Sequence, residues 1–267
     1  MNRCLAPHMV ERPWGRDCLP APFATPSGQR IGEIWFETPA QMDALLVKYI
    51  FTSQALSVQV HPDDHQARAA GSGLRGKEEC WLVIEAQPGA QLGIGFREPL
   101  DPAAMRAAAL DGSIEDLLAW HPVVACDFFR IPPGTVHAIG AGIGLIEIQQ
   151  NSDITYRLYD YGRPRELHLD AGMAVARGER YPDVLHCRVA ASGCQALVDG
   201  PNFRVDRIDG APEVGVQTRY RGAVLVLPLD GEAEVGCSVV RPGQCALAAS
   251  LDDLAAAGRC LIAQPCA

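Results

Sequence analysis

The 267-residue chain carries 32 acidic against 23 basic side chains, a net charge of −9 and a pI near 5.2. That balance argues against a nucleic-acid or anionic-membrane partner, either of which needs concentrated positive charge, and leaves room for an anionic small molecule held by a local basic cluster. The length admits one large all-β domain or two unequal ones, and in either case a sizeable core.

No apolar run approaches 18 residues, and the opening Met1-Asn2-Arg3-Cys4-Leu5 lacks an apolar signal region. Ten cysteines without a Cys-x-x-Cys pair, in a chain of this length, read as reduced thiols. The expectation is a soluble, cytoplasmic protein.

In chain order, residues 1–30 hold Pro7, Pro13, Pro20, Pro22 and Pro26 and predict an extended covering segment without regular structure, with Trp14 as a packing anchor. Ile31 to Glu37 alternates as a strand with Glu33 and Trp35 on one face. Glu33 is either a group behind the site or a plain surface carboxylate. Leu45 to Phe51, which contains Lys48, reads as a buried strand that forms a hairpin with the next strand, from Leu56. In Leu56-Ser57-Val58-Gln59-Val60-His61 the period of two places Ser57, Gln59 and His61 on one face and the valines on the other.

His65 to Gly76 predicts a polar loop at the rim of a pocket, and Cys80 to Glu85 a strand turned by Pro88-Gly89. Asp101-Pro102 followed by an alanine run has an N-cap and a first-turn proline, so a helix starts there; a shorter one follows from Ser113, giving a helical insertion over about 100–121. Strands resume at Pro122, and Asp127 to Ile131 leads into a Pro-Gly turn before His137. Leu145–Gln149 and Thr155–Tyr159 read as a strand pair, and a short helix is expected near 170–176. From 185 to 264, short strands separated by glycine-rich turns predict a second, smaller β-barrel.

Gln59, His61, Glu79 and His137 together offer the nitrogen and oxygen donors that a catalytic Zn²⁺ or similar divalent ion takes. A lone histidine is ordinarily a satisfied core residue, so the weight lies on the combination. Of the 23 basic residues only Lys48 and Lys77 are lysines, and both lie in or beside the segments that carry polar chemistry.

Pro132-x-Gly134-x-x-His137 matches the second motif of the cupin barrels. Beyond it, Pro13-Trp14-Gly15, Ile31-Gly32-Glu33-x-Trp35, Leu56 to Pro62, Gly76-Lys77-x-Glu79-Cys80-Trp81, Pro133 to Ile139 and above all Gln149 to Asp160 resemble the type I phosphomannose isomerases. This resemblance covers about residues 10–170 and implies an all-β fold of cupin (double-stranded β-helix) barrels in a bicupin arrangement. The catalytic domain would span 1–180 and a smaller one 181–267. It also implies one Zn²⁺ per chain on Gln59, His61, Glu79 and His137, although Fe²⁺, Mn²⁺ or Co²⁺ would suit the same ligands.

The reaction implied is interconversion of mannose 6-phosphate and fructose 6-phosphate through a cis-enediolate. Arg157 would stabilise its charge, Glu147 act as base or else as a structural partner of Arg157, and Lys77 supply a fixed charge or take part in proton transfer. Ser57 and Arg163 fit the phosphate by position, Arg163 standing where longer family members have lysine. Two other departures are the short stretch between Glu37 and Leu46 and the weakly matching C-terminal 80 residues. A cupin isomerase for another sugar or phosphosugar, and a sugar sensor without turnover, are the alternatives to this reading.

Overall fold

Alternation of apolar and polar side chains is realised as four antiparallel sheets stacked face to face in the computed structural model, which describes residues 1–266. A five-stranded sheet has the order Tyr156–Tyr159, Val58–Val60, His137–Ile139, Gln91–Phe96, Leu118–Pro122. Facing it, a seven-stranded sheet runs His186–Arg188, Asp127–Ile131, Glu79–Ala86, Ile143–Gln150, Leu45–Phe51, Ile31–Phe36, Pro7–Arg16. Trp81, Val83 and Leu145 of the seven-stranded sheet meet Leu92, Ile94 and Ile139 of the five-stranded one in a shared core. The expected all-β architecture is therefore present, as facing sheets rather than barrels closed by continuous hydrogen bonding.

The opposite face of the seven-stranded sheet, with Val47, Tyr49, Leu82 and Ile148, packs on a six-stranded sheet through Phe203, Val205, Leu225 and Leu261. A three-stranded sheet closes the far side over Val226, Val235 and Ile262. The strands Val224–Pro228, Ala233–Val235 and Ala246–Ala248 of this second pair of sheets fall in the stretch from 185 to 264 expected to hold short strands. Each pair of sheets receives a strand from the other part of the chain. Arg3–Cys4 pairs with Ala246–Ala248, and His186–Arg188 joins the seven-stranded sheet.

Helices Pro102–Asp111 and Ile114–Leu117 cover the outer face of the five-stranded sheet against Val58, Val60 and Leu158. The first begins as expected, with Asp101 accepting from the Ala104 N–H at 2.8 Å and proline at its first position. The insertion is shorter than expected, because Leu118–Pro122 is already a strand. Helix Leu169–Val175 agrees with the reading of that segment.

Four local expectations are corrected. Leu45–Phe51 and Val58–Val60 do not form a hairpin, nor do the strands at 143–150 and 156–159 pair, since in each case one strand belongs to each of two facing sheets. Sequence proximity favours a hairpin, but here burying both faces of the inner sheet requires crossing. Asp64–Ala69 is a helix rather than loop, started by a reciprocal capping box between Asp63 and Gln66. Pro7–Arg16 is a strand despite its prolines, which an edge position tolerates because one row of its N–H groups has no ladder partner to lose. Among the described residues no helix is long and apolar enough to cross a membrane.

Candidate active site

The two facing sheets each contribute one wall of the site. Val58 and Val60 are fully buried against the helices, each contributing about 1.5–3 kcal/mol by burial, so a one-residue slip that reversed them would be costly. Gln59 and His61 are thereby turned toward the opposing sheet. Gln59 is the cross-strand partner of His137, and its amide lies 3.3 Å from the His137 Nε2. Gly134, at φ +84°, makes the turn that delivers His137; a Cβ there would be strained and would meet Arg177 Nε at 2.7 Å.

Each histidine is held by its other ring nitrogen. Nδ1–H of His61 donates to the Ile154 carbonyl at 2.8 Å, and Nδ1–H of His137 donates to the Thr135 carbonyl at 2.9 Å. A carbonyl only accepts, so both Nε2 atoms keep their lone pairs. These point at Glu79 of the other sheet, at 3.3 Å from Oε1 for His61 and 3.9 Å from Oε2 for His137. One ligand atom from each of the three residues falls within 4.8 Å of the others, and all three residues are buried.

Neither Glu79 oxygen receives a hydrogen bond of normal geometry, although Oε1 touches the Lys77 ammonium. A buried carboxylate without hydrogen bonds, facing two imidazole lone pairs, is the donor set that a divalent transition ion satisfies. The electrostatics agree. Burial would raise the Glu79 pKa, but Lys77, His61 and His137 overcome it and hold the carboxyl well below its usual range. Burial and the neighbouring His61 push His137 down to about 3, while burial and Lys77 lower His61, so both rings are neutral at ordinary pH.

In front of this group lies a cavity of about 640 Å³, lined by Gln59 and Lys77, which touch the three residues, and by Ser57, Glu147 and Arg157. Burial opposes the charge on Lys77, but Glu79 and Glu147 outweigh it and raise its pKa; its Nζ stands 3.4 Å from His61 Nε2. Glu147 accepts from the Trp81 indole N–H at 3.0 Å and pairs with Lys48 at 3.3 Å. Burial and Glu79 raise its pKa. Its partners are thus Trp81 and Lys48, not Arg157. Arg157 is the cross-strand partner of Gln59; its Nη1–H donates to the Glu166 carbonyl at 2.7 Å, while its buried Nε–H has no partner. Burial and the adjacent Arg165 lower its pKa.

Arg163 does not line the cavity. Its guanidinium donates to the Ala55 carbonyl at 2.6 Å and stacks on Tyr161. Arg165 does line it, fixed by two 2.6 Å bonds to Asp160. Arg12, Lys48, Thr155, Arg165 and His168 also line the cavity and are not among the expected site residues. Lys48 had a signal, being one of only two lysines; Arg163 and Arg165 are indistinguishable in sequence because the turn after Tyr159 breaks the strand alternation. Glu33 faces the cavity and pairs with Arg12 at 2.9 Å, and Trp14 is both a core residue and part of the wall.

No family model matches the chain. Among curated proteins it is 43% identical over 206 residues to a mannose-6-phosphate isomerase of Bacillus subtilis, covering 72% of this chain and 63% of that one. It is 35% identical over 213 residues to the mannose-6-phosphate isomerase of Streptococcus mutans, covering 76% and 66%. The matches thus span slightly under two thirds of those relatives. Solved structures with the same fold include a mannose 6-phosphate isomerase from Bacillus subtilis, with TM-score 0.78, 24% identity and coverage of 97% and 98% of the two chains. A zinc-bound mannose 6-phosphate isomerase aligns over 100% of both chains with TM-score 0.71 and 16% identity.

Proposed function

Since the chain belongs to the mannose-6-phosphate isomerase family, we propose that it interconverts mannose 6-phosphate and fructose 6-phosphate with one resident Zn²⁺. The observation that carries this reading is the convergence of His61, Glu79 and His137 from two sheets behind a cavity lined by Lys77, Glu147 and Arg157. His61, Glu79 and His137 would hold the ion, with Gln59 as a fourth ligand once its amide is flipped to present oxygen to the group. When bound, Zn²⁺ supplies Lewis-acid polarisation of substrate oxygens.

Aldose–ketose isomerisation moves one proton between C1 and C2 through a cis-enediolate and needs a base and a stabiliser of the developing oxyanion. Glu147 is the base. Its raised pKa brings it nearer the working range of a general base, while Lys48 and Trp81 keep its carboxylate oriented. Arg157, with a buried N–H to spare, stabilises the enediolate charge. Lys77 remains an ammonium beside the ligand group and fixes positive charge at the reacting end.

Ser57 contributes a hydroxyl donor on the cavity wall. The phosphate falls to Arg165, which lines the cavity where the expected Arg163 does not. Every residue of the cavity precedes residue 169, which supports a catalytic unit over 1–180 and a second unit over 181–267. Ten free thiols support a reducing, cytoplasmic setting. The test is a coupled assay of the zinc-loaded protein on mannose 6-phosphate beside unphosphorylated mannose. Turnover of the phosphosugar is expected, and equal efficiency on free mannose would replace the reading with a free-sugar isomerase.

A further inference from the structure

Glu78, between Lys77 and Glu79, has a carboxylate that turns away from the cavity, toward the second pair of sheets, and is 2% exposed. Its Oε1 accepts from Arg130 Nε–H at 2.7 Å, and its Oε2 accepts from the Asn202 side-chain amide at 2.7 Å. A carboxylate has no proton to give at neutral pH, so the amide nitrogen is the atom that faces it. Asn202 lies in the turn between strands Gln195–Asp199 and Phe203–Asp209 of the six-stranded sheet. The turn approaches so closely that a Cβ on Gly200 would stand 2.8 Å from Arg130 Nη2.

This contact matters because the aim of Glu79 rests on its backbone and on the Lys77 ammonium that touches its Oε1. Both of its oxygens lack hydrogen bonds, so the direction of its carboxylate depends on where the backbone of 76–79 sits. From within the first unit Gly76 N–H donates to Asp64 Oδ1 at 2.8 Å, Lys77 N–H to the Pro62 carbonyl at 2.9 Å and Glu78 N–H to Gln150 Oε1 at 3.0 Å, the Glu78 carbonyl accepts from the Gln150 N–H at 3.0 Å, and Glu79 pairs with Gln149 and Ile131 on the two flanking strands. The Asn202 bond comes from the other unit and acts on a side chain of the segment.

We infer that Asn202 is a positioning residue for the metal centre: by holding Glu78 from the second unit it sets the backbone that aims Glu79. The inference rests on the metal reading above and assigns a role to residues 181–267. Groups hydrogen-bonded directly to a ligand typically change metal affinity roughly 10–100-fold, and Asn202, one residue further back, should act at the low end of that range.

The experiment measures Zn²⁺ affinity by chelator competition for the full-length parent, Asn202→Ala and Asn202→Asp, beside the unfolding midpoint of each metal-free protein. Asn202→Ala is expected to weaken Zn²⁺ binding about tenfold or more, and Asn202→Asp further, because a second carboxylate would face Glu78. Glu78→Ala removes the acceptor that Asn202 holds, so it should weaken Zn²⁺ at least as much and show no additional loss when combined with Asn202→Ala. It also reads the same quantity should Asn202→Ala not fold. A lowered unfolding midpoint with parental Zn²⁺ affinity makes Asn202 merely structural and overturns the inference alone. A parent chain that binds no Zn²⁺ overturns the metal reading and this inference with it.

Discussion

Glu147 and Lys48 face each other as cross-strand partners, carboxylate and ammonium 3.3 Å apart, on the wall of the cavity. Lys48 is the cation that most lowers the Glu147 pKa, against burial and Glu79, which raise it. Removing Lys48 should raise that pKa further. The unprotonated, basic form would then be populated only at higher pH, so Lys48→Met should move the acid limb of the kcat–pH profile upward. An unmoved acid limb would separate Glu147 from the proton transfer.

Arg157 acts on charge that exists fully only near the transition state. Loss of one such donor typically costs about 2.7–4 kcal/mol, or roughly 10²–10³ in rate. Arg157→Ala is expected to keep its zinc content and fold while kcat falls by that order. Arg157→Lys should recover only part, because an ammonium lacks the planar fork of donors. A parental kcat with a raised KM would move Arg157 to substrate binding.

For the phosphate, Arg165→Ala should raise KM for mannose 6-phosphate with little change in kcat, since binding common to ground and transition states is lost. A charge-assisted hydrogen bond contributes about 1.5–3 kcal/mol, so KM should rise roughly 10–150-fold. Arg163→Ala should have the smaller effect on KM because its guanidinium is held by the Ala55 carbonyl outside the cavity. The reverse order in KM would return the phosphate to Arg163.

The metal-free protein should lose stability on acidification. His137 has its pKa lowered from 6.5 to about 3 in the fold, so between these pH values the unfolded chain binds a proton that the folded one does not, and the lowered His61 acts in the same direction. Stability therefore falls as pH drops from about 6.5 toward 3, His137 contributing a slope of about 1.4 kcal/mol per pH unit. Urea midpoints of the apoprotein at pH 7, 6, 5 and 4 measure it. His137→Gln should flatten the slope and abolish tight Zn²⁺ binding, and a chelator should abolish activity of the parent.

The sequence determined what depends on short range. Periodicity of two separates Val58 and Val60 from Gln59 and His61, Asp101-Pro102 starts a helix, and motif spacing brings His61, Glu79 and His137 into one candidate set. These follow from steric alternation, from capping chemistry and from the coordination needs of a divalent ion. Only the tertiary structure decided how strands pair, because hairpin and crossing connections share the same local pattern; the crossing prevails where the inner sheet has apolar residues to bury on both faces. The tertiary structure also decided that Arg165 rather than Arg163 meets the cavity, since an irregular turn has no period to read. It paired Lys48 with Glu147 and brought Asn202 to Glu78, 124 residues apart. Such contacts arise when sheets stack, and no local preference of either residue encodes them.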